Sequence, residues 1–113
     1  MMAVIFEFEV EPGQEQAYFD LAGALRRDLE TIDGFISVER FESLSKPGKV
    51  VSLSLWRDEA AVTEWRRHHR HRKAQERGKA DIFTRYRLMV AEVVREMRLD
   101  DLGGRTEIDH KAR

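Results

Sequence analysis

Residues 3–10 alternate, with Val4, Phe6, Phe8 and Val10 on one side and Ile5, Glu7 and Glu9 on the other. That period of two predicts a half-buried strand, which Pro12-Gly13 ends. From 14 to 32 the period lengthens: Tyr18, Leu21, Ala22, Leu25, Leu29 and Ile32 recur at three- and four-residue spacing. This predicts an amphipathic helix with Arg26, Arg27, Asp28 and Glu30 outward. Gly34 follows, suited to the left-handed conformation beyond a helix end. Residues 35–42 read as a second strand, with Ile36 and Val38 opposite Ser37 and Glu39. Ser45-Lys46-Pro47-Gly48 turns the chain into a third strand, and the two form a hairpin. In that third strand Val51, Leu53 and Leu55 alternate with Ser52, Ser54 and Trp56.

Asp58 then reads as an N-cap, with Glu59 in the first turn. A second helix follows, carrying Ala61, Val62 and Trp65 on one face and closing near Gly78. Residues 82–95 form the last strand, with Phe83, Arg85, Arg87 and Met89 on one side and Tyr86, Leu88 and Val90 on the other. Its end, AEVVREM, suits either a strand or a helix. The chain thus divides into one domain over 1–97 and a polar C-terminal tail over 98–113, with LDDLGGRTEIDHKAR expected to be mobile.

The order β-α-β-β-α-β predicts an α+β, ferredoxin-like fold: a four-stranded antiparallel sheet with both helices on one face. First and last strands are then antiparallel neighbours. Glu7 and Glu9 meet Arg85 and Arg87 on the face away from the helices. Ile5, Ile36, Val38 and Met89 share that face or its margins. A small sheet with so mixed an open surface invites association, and a face-to-face homodimer is expected.

Composition narrows the function. Hydrophobic residues make up 42% and charged residues 36% of 113 residues, which fits one globular domain rather than disorder. The net charge of -1 gives no overall pull toward a polyanion. There is no cysteine, which removes disulfides, thiolate catalysis and Cys-ligated metal. No secretory leader or membrane-spanning apolar run is read, so a cytoplasmic protein without membrane association is expected.

The least ordinary stretch is RRHHRHRK at 66–73, where the apolar stripe of the second helix gives way to Arg and His. At 100° per residue, His69 lies about 40° to one side of Trp65 and His68 about 60° to the other. Arg72 lies about 20° away, whereas His71 is about 120° off and points sideways. His68, His69 and Arg72 therefore extend the Trp65 stripe. A histidine there has the near-neutral pKa of a base or hydrogen-bond donor; the plainer alternative is a stripe that ends in solvent. The spacing within HHRH does not converge on a metal, and the flanking arginines repel a cation. The basic run lacks interleaved aromatics, so a solvated helix face is preferred to nucleic-acid binding.

VIFEFEVEPG, IDGFISVERFES and SLWRDEAAVTEWR together resemble the antibiotic biosynthesis monooxygenase domain of the dimeric α/β-barrel group. The similarity runs from about residue 3 to 96, on G-F-x-S-x-x-x-F and S-x-W-x-x-x-x-A-V-x-x-W. It implies a homodimer with a small, mostly apolar pocket between sheet and helices. It further implies oxidation of an electron-rich aromatic, such as an anthrone or hydroquinone, without a bound cofactor. Trp56 matches the family's late third-strand Trp, while Ser52 stands where polyketide-type members carry Asn. Val62 falls near their helix Tyr. In the haem-degrading branch Trp65 matches the helix Trp, but Phe6 replaces Asn and Gln75 falls at or beside the iron-ligand position. His69 or His71 would serve as ligand only with a shifted alignment. The resemblance thus makes His69 (or His68) the base and Ser52 the carbonyl donor. Trp56 and Trp65 become aromatic walls, with Arg72 steadying a phenolate and His71 a further pocket residue. Haem binding or degradation and a non-catalytic ligand-binding dimer are the alternatives.

Overall fold

The computed structural model describes residues 1–75 and 82–110, with the side chains of 69–75 outside that description. The elements run β1 (Met2–Val10), α1 (Glu15–Glu30), β2 (Phe35–Glu42), β3 (Lys49–Trp56), α2 (Glu59–Gln75), β4 (Phe83–Glu92), β5 (Arg95–Leu99) and β6 (Arg105–Asp109). The expected closure of α2 near Gly78 lies outside the described residues. The first six elements make the ferredoxin-like order, with a four-stranded antiparallel sheet arranged β2-β3-β1-β4.

Two apolar clusters hold the helices on the sheet. One gathers Val4, Leu29, Ile32, Trp56, Ala61 and Val62; the other gathers Phe8, Tyr18, Ala22 and Ile82. The α1 residues among them belong to the stripe read from the sequence. At the start of α2 the Asp58 carboxylate accepts the Ala61 N–H at 2.9 Å, the expected N-cap. That bond, and then Arg57, hold the Asp58 carboxyl below its ordinary pKa.

The open face of the sheet follows from the β1–β4 register, in which Glu7 pairs with Arg87, Glu9 with Arg85 and Ile5 with Met89. The Arg87 guanidinium donates to Glu7 through Nε at 2.7 Å and Nη2 at 2.6 Å. This hydrogen bond lowers the Glu7 carboxyl below its ordinary value of 4.5, against a smaller opposing effect of burial. The stabilisation from the pair is therefore full above that value and is lost as pH falls through the lowered folded value. Arg87→Gln is expected to flatten the loss of thermal stability between about pH 5 and pH 3, as measured by melts across that range. An unchanged slope would remove Glu7 from the acid response.

Three placements differ from the pattern. In β3 it is Val50, Ser52, Ser54 and Trp56 that turn toward the helices, since Ser54 and Trp56 are buried. Val51, Leu53 and Leu55 lie on the open face. In β2 a register shift between Phe35 and Ser37 sends Val38 onto the helix-side cluster, not the open face, and leaves Ile36 exposed. In β4 the irregularity opposite Glu9 and Val10 brings Phe83 to the helix side, where it packs on Phe8 and Tyr18.

A fourth correction concerns the tail. Residues 95–109 form a β-hairpin, β5–β6, instead of an irregular polar segment. Asp100 closes its turn by accepting the N–H groups of Leu102 (3.0 Å) and Gly104 (2.7 Å), and Gly103 takes φ +82. Cross-strand pairs of Arg95 with Glu107 and Asp109, and of His110 with Glu96 at 2.8 Å, support the register. AEVVREM is accordingly strand, a two-residue break and strand again.

Candidate functional site

One row of side chains crosses the helix side of the sheet between the two apolar clusters. Pairing places Arg40 beside Ser52, Ser52 beside Phe6 and Phe6 beside Leu88. At about 4.8 Å between strands, the row runs from a cation through a hydroxyl to an aromatic ring and an aliphatic edge. Arg40 and Ser52 are half-buried.

Tyr18 of α1 descends toward this row. Its ring lies 4.9 Å from Phe8 and 6.1 Å from Phe83, centroid to centroid. Its hydroxyl is buried and makes no hydrogen bond of good geometry among the described residues. Burial raises the phenol's pKa, and the neighbouring Arg40 guanidinium partly counters that rise. Such a phenol stays neutral at physiological pH and is available to donate.

Toward β4 the site opens. Phe6 touches Phe83 and Tyr86 with ring centroids 5.6 and 5.9 Å apart. Tyr86, Leu88 and Val90 are all exposed, although they share the helix side of the sheet. The helix side of the sheet over β1 and β4 thus presents an aromatic surface of Phe6, Phe83 and Tyr86 where the resemblance implies a pocket. Two further depressions lie elsewhere: one of about 230 Å³ on the open face among Glu7, Lys46, Lys49, Arg85 and Arg87, the other of about 480 Å³ beside Met97 and Leu99 of the hairpin.

The residues singled out from the sequence fare differently. Ser52 is half-buried on the helix side of β3, between Arg40 and Phe6. Trp65 is half-buried and lies 5.7 Å from Trp56, ring to ring. Trp56 is 0% exposed and donates its indole N–H to Ser54 Oγ at 2.9 Å, so it lies in the core behind Trp65. His68 turns outward: it is exposed and its Nε2 lies 3.3 Å from Glu64 Oε1, one helical turn earlier. It does not extend the Trp65 stripe. The side chains of His69, His71 and Arg72 lie outside the described residues. Sequence reasoning passed over Tyr18, Arg40 and Tyr86, and took Phe6 only as a replaced Asn. The available signal was Arg40 itself, the charged residue two positions after Val38 on an inward strand face.

Residues 1–77 match the family model described as antibiotic biosynthesis monooxygenase. The chain belongs to this family. Among its relatives, jasmonate monooxygenase ABM of Pyricularia oryzae is 42% identical over 102 residues, covering 90% of this chain and 47% of the relative. The chain therefore spans about half the length of that fungal protein. YqjZ of Bacillus subtilis is 29% identical over 94 residues, covering 83% of this chain and 80% of YqjZ. The structure of Rv0793 from Mycobacterium tuberculosis matches with a TM-score of 0.67 and 27% identity, over 81% of this chain and 93% of that one. A structure of an MhuD variant with two manganese protoporphyrin IX molecules bound per active site matches with a TM-score of 0.64, over 83% of this chain and 95% of that one. At 18% identity that likeness speaks for the fold alone.

Proposed function

We propose that this chain is an oxygen-dependent oxidase or monooxygenase of a small electron-rich aromatic, anthrone- or hydroquinone-like, working without a bound cofactor in a homodimer. The observation that carries the reading is the aromatic surface of Phe6 and Tyr86 beside the short polar seam of Ser52 and Arg40. Phe6, Tyr86 and Trp65 offer flat apolar contact to a ring, and Ser52 offers a hydroxyl donor to its carbonyl. In such chemistry the substrate supplies the electrons. Loss of a proton gives an anion that passes one electron to O₂, and the radical pair combines to a hydroperoxide. Loss of water then leaves the ketone, with one oxygen atom in the product and the other in water. The protein contributes a base, a fixed pose and exclusion of solvent.

His69 is the proposed base, by its place four residues after Trp65 in the helical sequence of α2, with Arg72 and His71 as further α2 contributors. Pairing of two open faces would bury Ile5, Leu53, Leu55 and Met89 and is the proposed dimer contact.

Oxygen uptake with anthrone and hydroquinone substrates tests the reading. The wild-type chain is expected to consume O₂ well above the buffer rate and to place one labelled oxygen atom in the anthrone product. His69→Ala is expected to lower turnover about 100-fold or more, the usual weight of a positioned base. No uptake above buffer would sink the oxidase reading. A saturable one-per-subunit Soret shift on haem addition would move it to the haem branch instead.

A further inference from the structure

We infer that the seam of Arg40, Ser52 and Tyr18 is a binding site for an anionic oxygen, so that the molecule held in the cleft is an organic anion with a flat apolar body. The inference rests on reading the helix-side cleft as the ligand site. Arg40 stands half-buried on a strand face that otherwise packs against a helix, a costly place for a guanidinium without a counter-charge. Among the described residues no carboxylate lies within ion-pair distance of it. Tyr18 brings a second group: a hydroxyl shut off from water whose own proton has no acceptor of good geometry among the described residues. Both face one region, since the guanidinium acts directly on the phenol. The guanidinium has N–H donors beyond the one directed at the phenol oxygen, and with the phenol O–H and the Ser52 hydroxyl they are complementary to an oxygen anion.

The chemistry of each group fits that occupant. A guanidinium presents a planar fork of N–H donors, matched to a carboxylate or to a delocalised enolate or phenolate. The Tyr18 phenol adds one charge-assisted hydrogen bond, and Ser52, next to Arg40 across the β2–β3 pair, has a hydroxyl to spare, whereas Ser54 already accepts from Trp56. From this seam the row continues to Phe6 and Leu88, and Phe6 in turn stacks near Tyr86. The ligand's charged end would lie at Arg40 and its rings over β1 and β4. Carboxylate and enolate share this recognition, and only a choice of probes separates them.

Calorimetric titration of the full chain with two matched pairs makes the test. Naphthoate against naphthamide carries a carboxylate or its neutral counterpart. The hydroxynaphthoquinone lawsone, an enolate at neutral pH, against naphthoquinone does the same for an enolate. The anion of at least one pair is expected to bind about tenfold tighter or better than its neutral partner, the scale of a charge-assisted hydrogen bond. Preference within the first pair alone identifies a carboxylate ligand, and within the second an enolate or phenolate. Arg40→Gln is expected to abolish the preference, Arg40→Lys to keep part of it, and Arg26→Gln, an exposed helix change, to leave it whole. Tyr18→Phe is expected to weaken anion binding several-fold while holding or raising the denaturation midpoint, because it removes an unsatisfied buried hydroxyl. Equal affinity within both pairs, no binding of any probe, or a preference that survives Arg40→Gln would overturn the inference. A chain that keeps the preference but consumes no O₂ would sink the oxidase reading and leave this one standing.

Discussion

Trp56→Ala is expected to destabilise the chain by about 3–5 kcal/mol, enough to leave a domain of ordinary stability largely unfolded at 37 °C. Trp56 is 0% exposed and lies in the cluster with Val4, Leu29, Ile32, Ala61 and Val62. Phe35 meets its ring edge-on at 5.3 Å and Trp65 lies at 5.7 Å. Removal of the indole therefore opens a cavity at the junction of α1, α2 and three strands. It also strands the Ser54 hydroxyl in the interior without its donor. Urea unfolding followed by circular dichroism measures the loss, and a cost below about 1 kcal/mol would show that the indole is not the centre of this cluster. Trp56→Phe separates the two effects: it keeps much of the ring packing and loses the hydrogen bond.

This assignment changes what the second Trp does. Both tryptophans were expected to wall the ligand. The structure gives Trp56 to the core and leaves Trp65 half-buried above it, so of the pair only Trp65 is proposed to meet a ligand ring. A rigid buried partner fixes the plane of Trp65, so loss of Trp56 is also expected to blunt binding in any fraction that stays folded.

The main architecture was legible because two periods are cleanly written. Val4, Phe6 and Phe8 against Glu7 and Glu9 mark β1, and the Tyr18–Ile32 stripe marks α1. That Glu7 and Glu9 meet Arg85 and Arg87 followed from topology, since ferredoxin-like order makes β1 and β4 neighbours, while the register that pairs Glu7 with Arg87 comes from the structure. Where both faces of a strand carry apolar groups, alternation no longer says which face meets the helices. In β3 the leucines look like core, yet Trp56 and the serines face inward, and the polar seam was hidden by that reversal. Irregular registers at Phe35–Ser37 and at Glu9–Val10 moved Val38 and Phe83 across the sheet, and one extra residue in a strand leaves no periodic trace.

One α2 residue, His68, was placed on the wrong side for a related reason. His68 was placed about 60° from Trp65, at the margin of an inward stripe. Glu64, one turn earlier on the outward side, offers a carboxylate at 3.3 Å, and that i, i+4 contact decides a marginal position. The C-terminal hairpin was missed because Met97 and Leu99 alternate over only five residues, too short a run to stand out. Its real signal was local: Asp100 followed by Gly103-Gly104, where a side-chain acceptor and a left-handed glycine make a turn.

Gly34→Ala is expected to cost about 2–4 kcal/mol, combining a left-handed backbone with steric overlap. Gly34 has φ +95, and a Cβ added there would lie 2.7 Å from the Ala61 Cβ. The turn between α1 and β2 is thus pressed against the first turn of α2. Its carbonyl also accepts the Arg57 N–H at 2.7 Å, tying the end of β3 to the same point. Arg57 in turn bonds Asp33 and Asp58 through exposed pairs. One backbone position therefore sets the start of β2, which carries Arg40, and the start of α2, which carries Trp65. A double-mutant cycle divides the cost: Gly34→Ala combined with Ala61→Gly removes the overlap but not the backbone strain. The double variant is expected to recover about 1–2 kcal/mol beyond additivity, read from urea midpoints. Strict additivity would mean that the two elements separate without loss. Strong coupling instead makes the turn the hinge pin of the cleft, and Gly34→Ala should then weaken ligand binding even where the fold survives.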